Sequence, residues 1–187
     1  MEITEKKENR IMDNHNSDAM ELTMNLVRID STDPGAYEGE IGEFIFQYLK
    51  GLDVPVIKKE VLPGRFNVMA RLEGEEQAPA LVYICHMDTV TTGEGWTVSP
   101  FGAEVIKGRI YGRGACDMKS GLACALSAFT SMALKARDGQ KPKRTLVFIG
   151  TVDEEDFMRG AEAAIADGWV TKDCWVLDTE PTNGRIE

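Results

Sequence analysis

The chain has 187 residues, a hydrophobic fraction of 43% and a formal net charge of −10. That length can bury a sizeable core in one domain or slightly more, and so acidic a balance argues against a surface that tracks nucleic-acid phosphates. No apolar run approaches the ~20 residues that span a bilayer, and the charged stretch from Met1 to Asn16 has no secretory h-region. The four cysteines, Cys85, Cys116, Cys124 and Cys174, form neither a CxxC nor a close-spaced ladder. This excludes a disulfide framework and a cysteine zinc site, and it predicts a reducing, cytoplasmic setting. The acidic balance also fits carboxylates gathered around a cation.

Residues 1–16 read as a disordered lead-in, with His15 solvated between two asparagines. Ser17 is placed to cap a helix over about 18–28, with Leu22, Leu26 and Ile29 on its buried face. Ser31 to Gly35 then breaks the helix as a turn. A second helix is predicted over 39–52, where Ile41, Phe44, Ile45, Tyr48 and Leu49 make the stripe of a helix lying on a sheet. Residues 54–62 and 65–72 read as two strands around Pro63-Gly64. Phe66, Val68, Ala70 and Leu72 alternate in the second, which predicts a half-exposed strand near a sheet edge.

The run Leu81 to Cys85 reads as a strand buried on both faces that stops on His86 and Asp88. A short hairpin, 103–105 with 109–111, follows the glycine-rich loop 92–95. Gly112 to Gly121 then leads into a long helix over about 119–136. A further strand over 145–152 ends in Asp153-Glu154-Glu155-Asp156, a helix covers about 161–167, and a last strand over 174–178 runs into Thr179-Glu180-Pro181. Helices alternating with apolar strands predict an α/β fold: a mostly parallel, twisted sheet with helices on both faces.

Three strands that read as buried therefore end in imidazole or acid: His86 with Asp88, Glu154 with Glu155, and Asp178 with Glu180. A loop carrying Asp117 lies between the first two. The same ends of neighbouring parallel strands converge, and open α/β sheets put their chemistry there. Carboxylates crowded together without cations push one another towards protonation. Two divalent ions resolve the conflict. One imidazole among carboxylates suits zinc, with cobalt or manganese as alternatives, and a carboxylate bridging metals ~3.5–4 Å apart is a usual device of hydrolytic sites. In His86-x-Asp88 the aspartate can accept the ring N–H that the metal does not use. Singly, each piece has a plainer reading. Glu154-Glu155 can be a solvated helix start, Asp117 a helix cap, Glu180 turn chemistry, and Gly112-x-Gly114 lacks the lysine and spacing of a phosphate loop. Their joint occurrence at successive strand ends favours a metal site.

The motifs Ile84-Cys85-His86-Met87-Asp88-Thr89-Val90, Gly112 to Gly121, Thr151 to Glu155 with Arg159-Gly160-Ala161, and Glu180-Pro181-Thr182 occur in that order. Together, and with Trp96 and Pro100-Phe101, they resemble the dinuclear zinc amidohydrolases that include acetylornithine deacetylase, succinyl-diaminopimelate desuccinylase, aminoacylase and carboxypeptidase G. The resemblance implies metal-dependent hydrolysis of an amide bond in an N-acyl amino acid or small peptide. It implies two divalent ions held by His86, a bridging Asp117, Glu155, and Glu180 (Asp178 being the alternative for that role). It makes Glu154 the general base that activates water on the metals, and Asp88 the group that orients His86.

The same resemblance calls for a second ligand histidine near the C-terminus, and for a histidine from a lid and dimerisation domain that helps hold the substrate and its oxyanion. No histidine follows His86, and the chain ends five residues after Thr182. Residues 17–187 are thus expected to be the N-terminal portion of a catalytic domain, lacking the lid and the C-terminal part and leaving an exposed apolar edge. The expected parent protein is a homodimer through that lid, with a small acyl amino acid or peptide as substrate and neither nucleic acid nor membrane as partner. The alternative is a truncated, inactive fragment serving at most as a metal-binding or interaction module.

Overall fold

The computed structural model describes residues 18–183 and 185, so the expected lead-in, His15 and the Ser17 cap lie outside the described residues. The first helix, α1 (Ala19–Val27), is capped by Asp18, whose carboxylate accepts the Met20 N–H at 2.9 Å. Strand β1 (Thr32–Asp33) follows, then α2 (Gly39–Lys50), which buries Ile41, Ile45, Tyr48 and Leu49 as its periodicity requires. The remaining elements are β2 (Val56–Leu62), β3 (Arg65–Leu72), β4 (Leu81–His86), β5 (Thr89–Val90), β6 (Glu104–Ile106), β7 (Arg109–Tyr111), α3 (Lys119–Arg137), β8 (Leu146–Thr151), α4 (Arg159–Ala166) and β9 (Trp175–Asp178). Lys107 and Gly108, both at positive φ, make the tight turn between β6 and β7.

The main sheet has the order β2-β3-β8-β4-β9. Strands β8, β4 and β9 are mutually parallel, while β3 runs antiparallel to both β8 and β2. Four of the five strands therefore point the same way, with β3 reversed inside the sheet. Helices α1, α2 and α3 cover one face, where Leu26, Ile45, Leu122, Leu126 and Phe129 pack against Val68, Ala70 and Phe148. On the other face, Ala164 of α4 meets Met69, Val82, Val147 and Ile149. A two-residue parallel ladder pairs Thr32 and Asp33 of β1 with Thr89 and Val90 of β5. It ties the chain after α1 to the segment that leaves β4.

Two expectations about strands are corrected. The β3 strand is not near an edge: it lies between β2 and β8, and Arg65, Asn67 and Met69 on its second face are buried as well as Val68 and Ala70. The turn after β8 and helix α4 cover that second face. Conversely, β9 reads as a buried strand but is an edge, with Trp175, Val176 and Leu177 at 63%, 49% and 46% exposure. Its apolar side chains meet water because, among the described residues, only β4 pairs with it. No helix among the described residues is long and apolar enough to cross a membrane.

Phe148 is fully buried at the centre of β8 and packs on Phe129 with ring centroids 6.4 Å apart. Replacing it with alanine leaves a cavity between α3 and the sheet, so Phe148→Ala is expected to destabilise the chain by about 3–5 kcal/mol in urea denaturation.

Candidate metal centre

His86 is the last residue of β4. The parallel ladders set Thr151 of β8 opposite His86 and Asp178 of β9 opposite Ile84. Two further residues along each strand path bring Asp153 and Glu180 level with the same rim. Asp117 arrives from the loop before α3. The register thus assembles the acidic ends that the sequence carries on separate strands.

The His86 side chain is buried, and its two ring nitrogens are held differently. Nδ1 lies 2.9 Å from the backbone carbonyl of Asp88, which can only accept, so Nδ1 carries the proton. In the neutral ring this leaves the Nε2 lone pair aimed at carboxylates: Asp117 Oδ1 at 3.3 Å, Glu180 Oε1 at 3.4 Å and Glu154 Oε2 at 3.7 Å. The Asp88 carboxylate is expected to be the ring's partner, yet it stands 3.7 Å from Nδ1. It instead accepts the backbone N–H groups of Glu154 at 3.1 Å and Glu155 at 2.9 Å. Asp88 therefore orients His86 through its main chain and the acidic pair through its side chain. Glu155 Oε1 in turn accepts the Val90 N–H of β5 at 3.3 Å.

The electrostatics record this crowding. Burial, together with Asp178 and Asp117, pushes the Glu180 carboxyl up to about 7 against the opposing pull of His86. Burial also raises Glu154, Glu155 and Asp178, with neighbouring acids adding to the shift on the two glutamates. For His86, burial works against a charged ring, but Asp88, Glu180 and Glu154 together outweigh it and hold the ring above its ordinary value. An imidazole lone pair and several carboxylates converging on one point are the donor set of a divalent cation. Two triads have their donor atoms within 4.8 Å of one another: His86, Asp117 and Glu155; and His86, Glu154 and Glu180. Asp178, the alternative to Glu180, lies two residues back along β9 and joins no such cluster among the described residues.

A close contact seats Glu180. A Cβ on Gly121, in the first turn of α3, would lie 2.0 Å from the carbonyl oxygen of Thr179. Only glycine lets the helix meet the strand path that delivers the acid. Reading the sequence missed a second group, Glu38, Arg65, Asn67 and Asp153, all of them buried beneath the acidic pair. Arg65 and Asn67 alternate with Phe66 and Val68 on the face of β3 that periodicity assigns to solvent, and two polar residues there looked ordinary.

Over residues 82–184, more than half its length, the chain matches the model of peptidase family M20/M25/M40. The chain belongs to this family. A succinyl-diaminopimelate desuccinylase of Methylobacterium radiotolerans is 35% identical over 185 residues, covering 93% of this chain and 45% of that protein. A second, from a Bradyrhizobium species, is 33% identical over 181 residues, 91% of this chain and 45% of its own. Among solved structures, the aminopeptidase PepT of Bacillus cereus superposes with a TM-score of 0.65 at 26% identity, covering 87% of this chain and 43% of that one. Human carnosine dipeptidase 1 shares the fold with a TM-score of 0.69 at 18% identity, covering 92% and 40% respectively. The chain spans less than half the length of these relatives.

Two outcomes test this candidate site. Free Zn²⁺ at a hundred times its dissociation constant is expected to stabilise the folded chain by about 2.7 kcal/mol, read as a rise in Tm that EDTA reverses. A Tm indifferent to Zn²⁺ would count against a metal centre. Gly121→Ala forces Thr179 and Glu180 away from His86, so Zn²⁺ affinity by calorimetry is expected to fall about 10–100-fold while the circular dichroism spectrum is kept.

Proposed function

We propose that the protein to which this chain belongs is a metal-dependent amidohydrolase that cleaves the amide bond of an N-acyl amino acid or small peptide. It would use two divalent ions, zinc in the first instance. The observation that carries this reading is the His86 Nε2 lone pair facing Asp117, Glu154 and Glu180, with the Glu154-Glu155 peptide held by Asp88. Family membership supports hydrolysis of amide bonds, and the desuccinylase relatives favour an acyl amino acid over a longer peptide.

In this reading His86, Asp117, Glu155 and Glu180 would hold the two ions, with Asp117 serving as a ligand to both. When bound, the ions lower the pKa of a water towards ~7 and polarise the scissile carbonyl. The remaining work belongs to side chains of this chain. Glu154 is a carboxylate whose affinity for a proton is raised by burial, which suits a group that takes a proton from water and delivers it to the leaving amine nitrogen. The Nδ1–H···O=C bond to Asp88 keeps the His86 ring in one tautomer and one orientation.

His86 is the sole histidine among the described residues, and the edge at Trp175, Val176 and Leu177 is bare. Both features favour a chain that is inactive when isolated and active within the longer protein. The test is metal analysis and turnover of the full-length protein with N-succinyl-diaminopimelate, N-acetylornithine and small dipeptides. Glu154→Gln is expected to lower kcat at least ~10³-fold, near the upper part of the range for general acid–base catalysis, while bound metal is retained. Wild-type turnover by Glu154→Gln would remove Glu154 from the mechanism. Absence of metal-dependent turnover on every substrate would remove the hydrolase reading.

A further inference from the structure

The turn from Val152 to Gly160 carries Glu154 and Glu155; it closes on itself through the Asp153 carbonyl, which accepts the Met158 N–H, and through Arg159 on the Asp153 carboxylate, but these bonds do not fix it against the sheet. Glu155 and Asp156 are polar, Phe157 is 63% exposed, and Asp153 and Met158 both sit at positive φ. Backbone in the left-handed region persists for such residues only where the surroundings enforce it. The enforcing groups come from β3, whose reversed direction puts its first residues at the rim where the parallel strands end.

Arg65 stands at the centre of these groups. Its Nε donates to Glu38 Oε2 at 2.6 Å, and its Nη2 donates to Glu38 Oε1 at 2.5 Å and to Asp33 Oδ2 at 2.6 Å. The same Nη2 lies 3.3 Å from Asp153 Oδ1. Glu38 Oε1 also accepts the Asp153 N–H at 2.9 Å, and Arg159 closes on the Asp153 carboxylate with Nε and Nη2. The side chains of Glu38 and Asp153 are wholly buried and that of Arg65 is 10% exposed. Two residues along β3, Asn67 donates to the Gly160 carbonyl at 2.7 Å and accepts the Val152 N–H at 3.1 Å, pinning both ends of the turn.

Two routes lead from the guanidinium to the acidic pair. One runs through Glu38 and Asp153 into the peptide of Glu154. The other runs through Asp33, which pairs with Val90 in the β1–β5 ladder, to the Val90 N–H that Glu155 accepts. Asp33, Glu38 and Asp88 bring carboxylate oxygens within 4.8 Å of one another. Asp88 is the residue whose side chain caps Glu154 and Glu155, and Arg65 is the cation that pairs with the other two acids of this group. Lysine would supply the charge. It would not supply the planar fork that meets Glu38 with two nitrogens while reaching Asp33 and Asp153.

We infer that Arg65 is a positioning residue for the reaction: from beneath the metal centre, its guanidinium sets where Glu154 and Glu155 stand relative to His86. This rests on the reading of those residues as base and ligand. The test is therefore a spectroscopic one that does not depend on turnover. In the full-length protein reconstituted with Co²⁺, Arg65→Lys is expected to change the visible ligand-field bands and weaken Co²⁺ binding about 10–100-fold, with kcat lowered more than KM is changed. Arg65→Ala is expected to regain the wild-type bands when guanidinium ion is added at millimolar concentration. Arg159→Gln removes a side chain that is 40% exposed, so it tests the same network in a variant that folds. Its bands should shift in the same direction by less. Phe129→Leu, destabilising but remote in the core, should leave the bands unchanged. Wild-type bands and affinity in folded Arg65→Lys and Arg159→Gln would overturn the inference. A wild-type protein that binds Co²⁺ with these dependences but turns over no amide would instead sink the hydrolase reading and leave the positioning role standing.

Discussion

Two carboxylates 4 Å apart near a protein surface repel by about 4 kcal/mol, and this molecule gathers far more than two. Asp88, Asp117, Asp153, Glu154, Glu155, Asp178 and Glu180 stand around one end of one sheet, with Asp33 and Glu38 close beneath. Domain stabilities are only about 5–15 kcal/mol in total, so an unanswered cluster of this kind would unfold the chain or hold its acids protonated. Most of the local architecture is an answer to that repulsion.

The answer has two layers. In the lower layer the compensation is internal: Arg65 and Arg159 face Asp33, Glu38 and Asp153, and backbone N–H groups serve Asp88 and Glu38. Every acid there has a partner supplied by the chain itself. In the upper layer, His86 is the only cationisable group paired with Asp117, Glu154 and Glu180 among the described residues, and its Nδ1 is already committed to a carbonyl. That layer is left short of positive charge and open to solvent, which is the condition in which a divalent ion binds. The contrast between a satisfied base and a needy rim separates scaffold from site.

Strand direction explains why the layers stack. The parallel trio β8, β4 and β9 delivers its C-terminal ends to the rim, and these bear the acids and the histidine. Reversed β3 delivers its N-terminal end to the same place and brings Arg65 and Asn67. A parallel β3 would have put those residues at the far end of the sheet. The one antiparallel strand inside the sheet is thus the route by which compensating donors reach the acids.

Residue order and periodicity determined the main helices and strands and the α/β class, and they placed His86, Glu154, Glu155 and Glu180 at strand ends; the ordered motifs carried the resemblance to the family, while the short β1–β5 ladder went unread. These depend on local signals: apolar runs, turn residues and acids placed at strand ends. Tertiary structure decided what those signals cannot carry. Which strands are interior was invisible, because alternation in β3 looks the same whether its second face meets water or the turn before α4. Which strand would carry the expected exposed apolar edge was equally invisible, since an apolar strand such as β9 reads as buried whether or not a neighbour pairs with it. Asp88 turning its carboxylate to the Glu154-Glu155 backbone, Arg65 meeting Asp33, Glu38 and Asp153, and Glu38 accepting the Asp153 N–H join residues up to 115 positions apart. Contacts of that kind arise only once the sheet order brings the chain ends of several elements to one place.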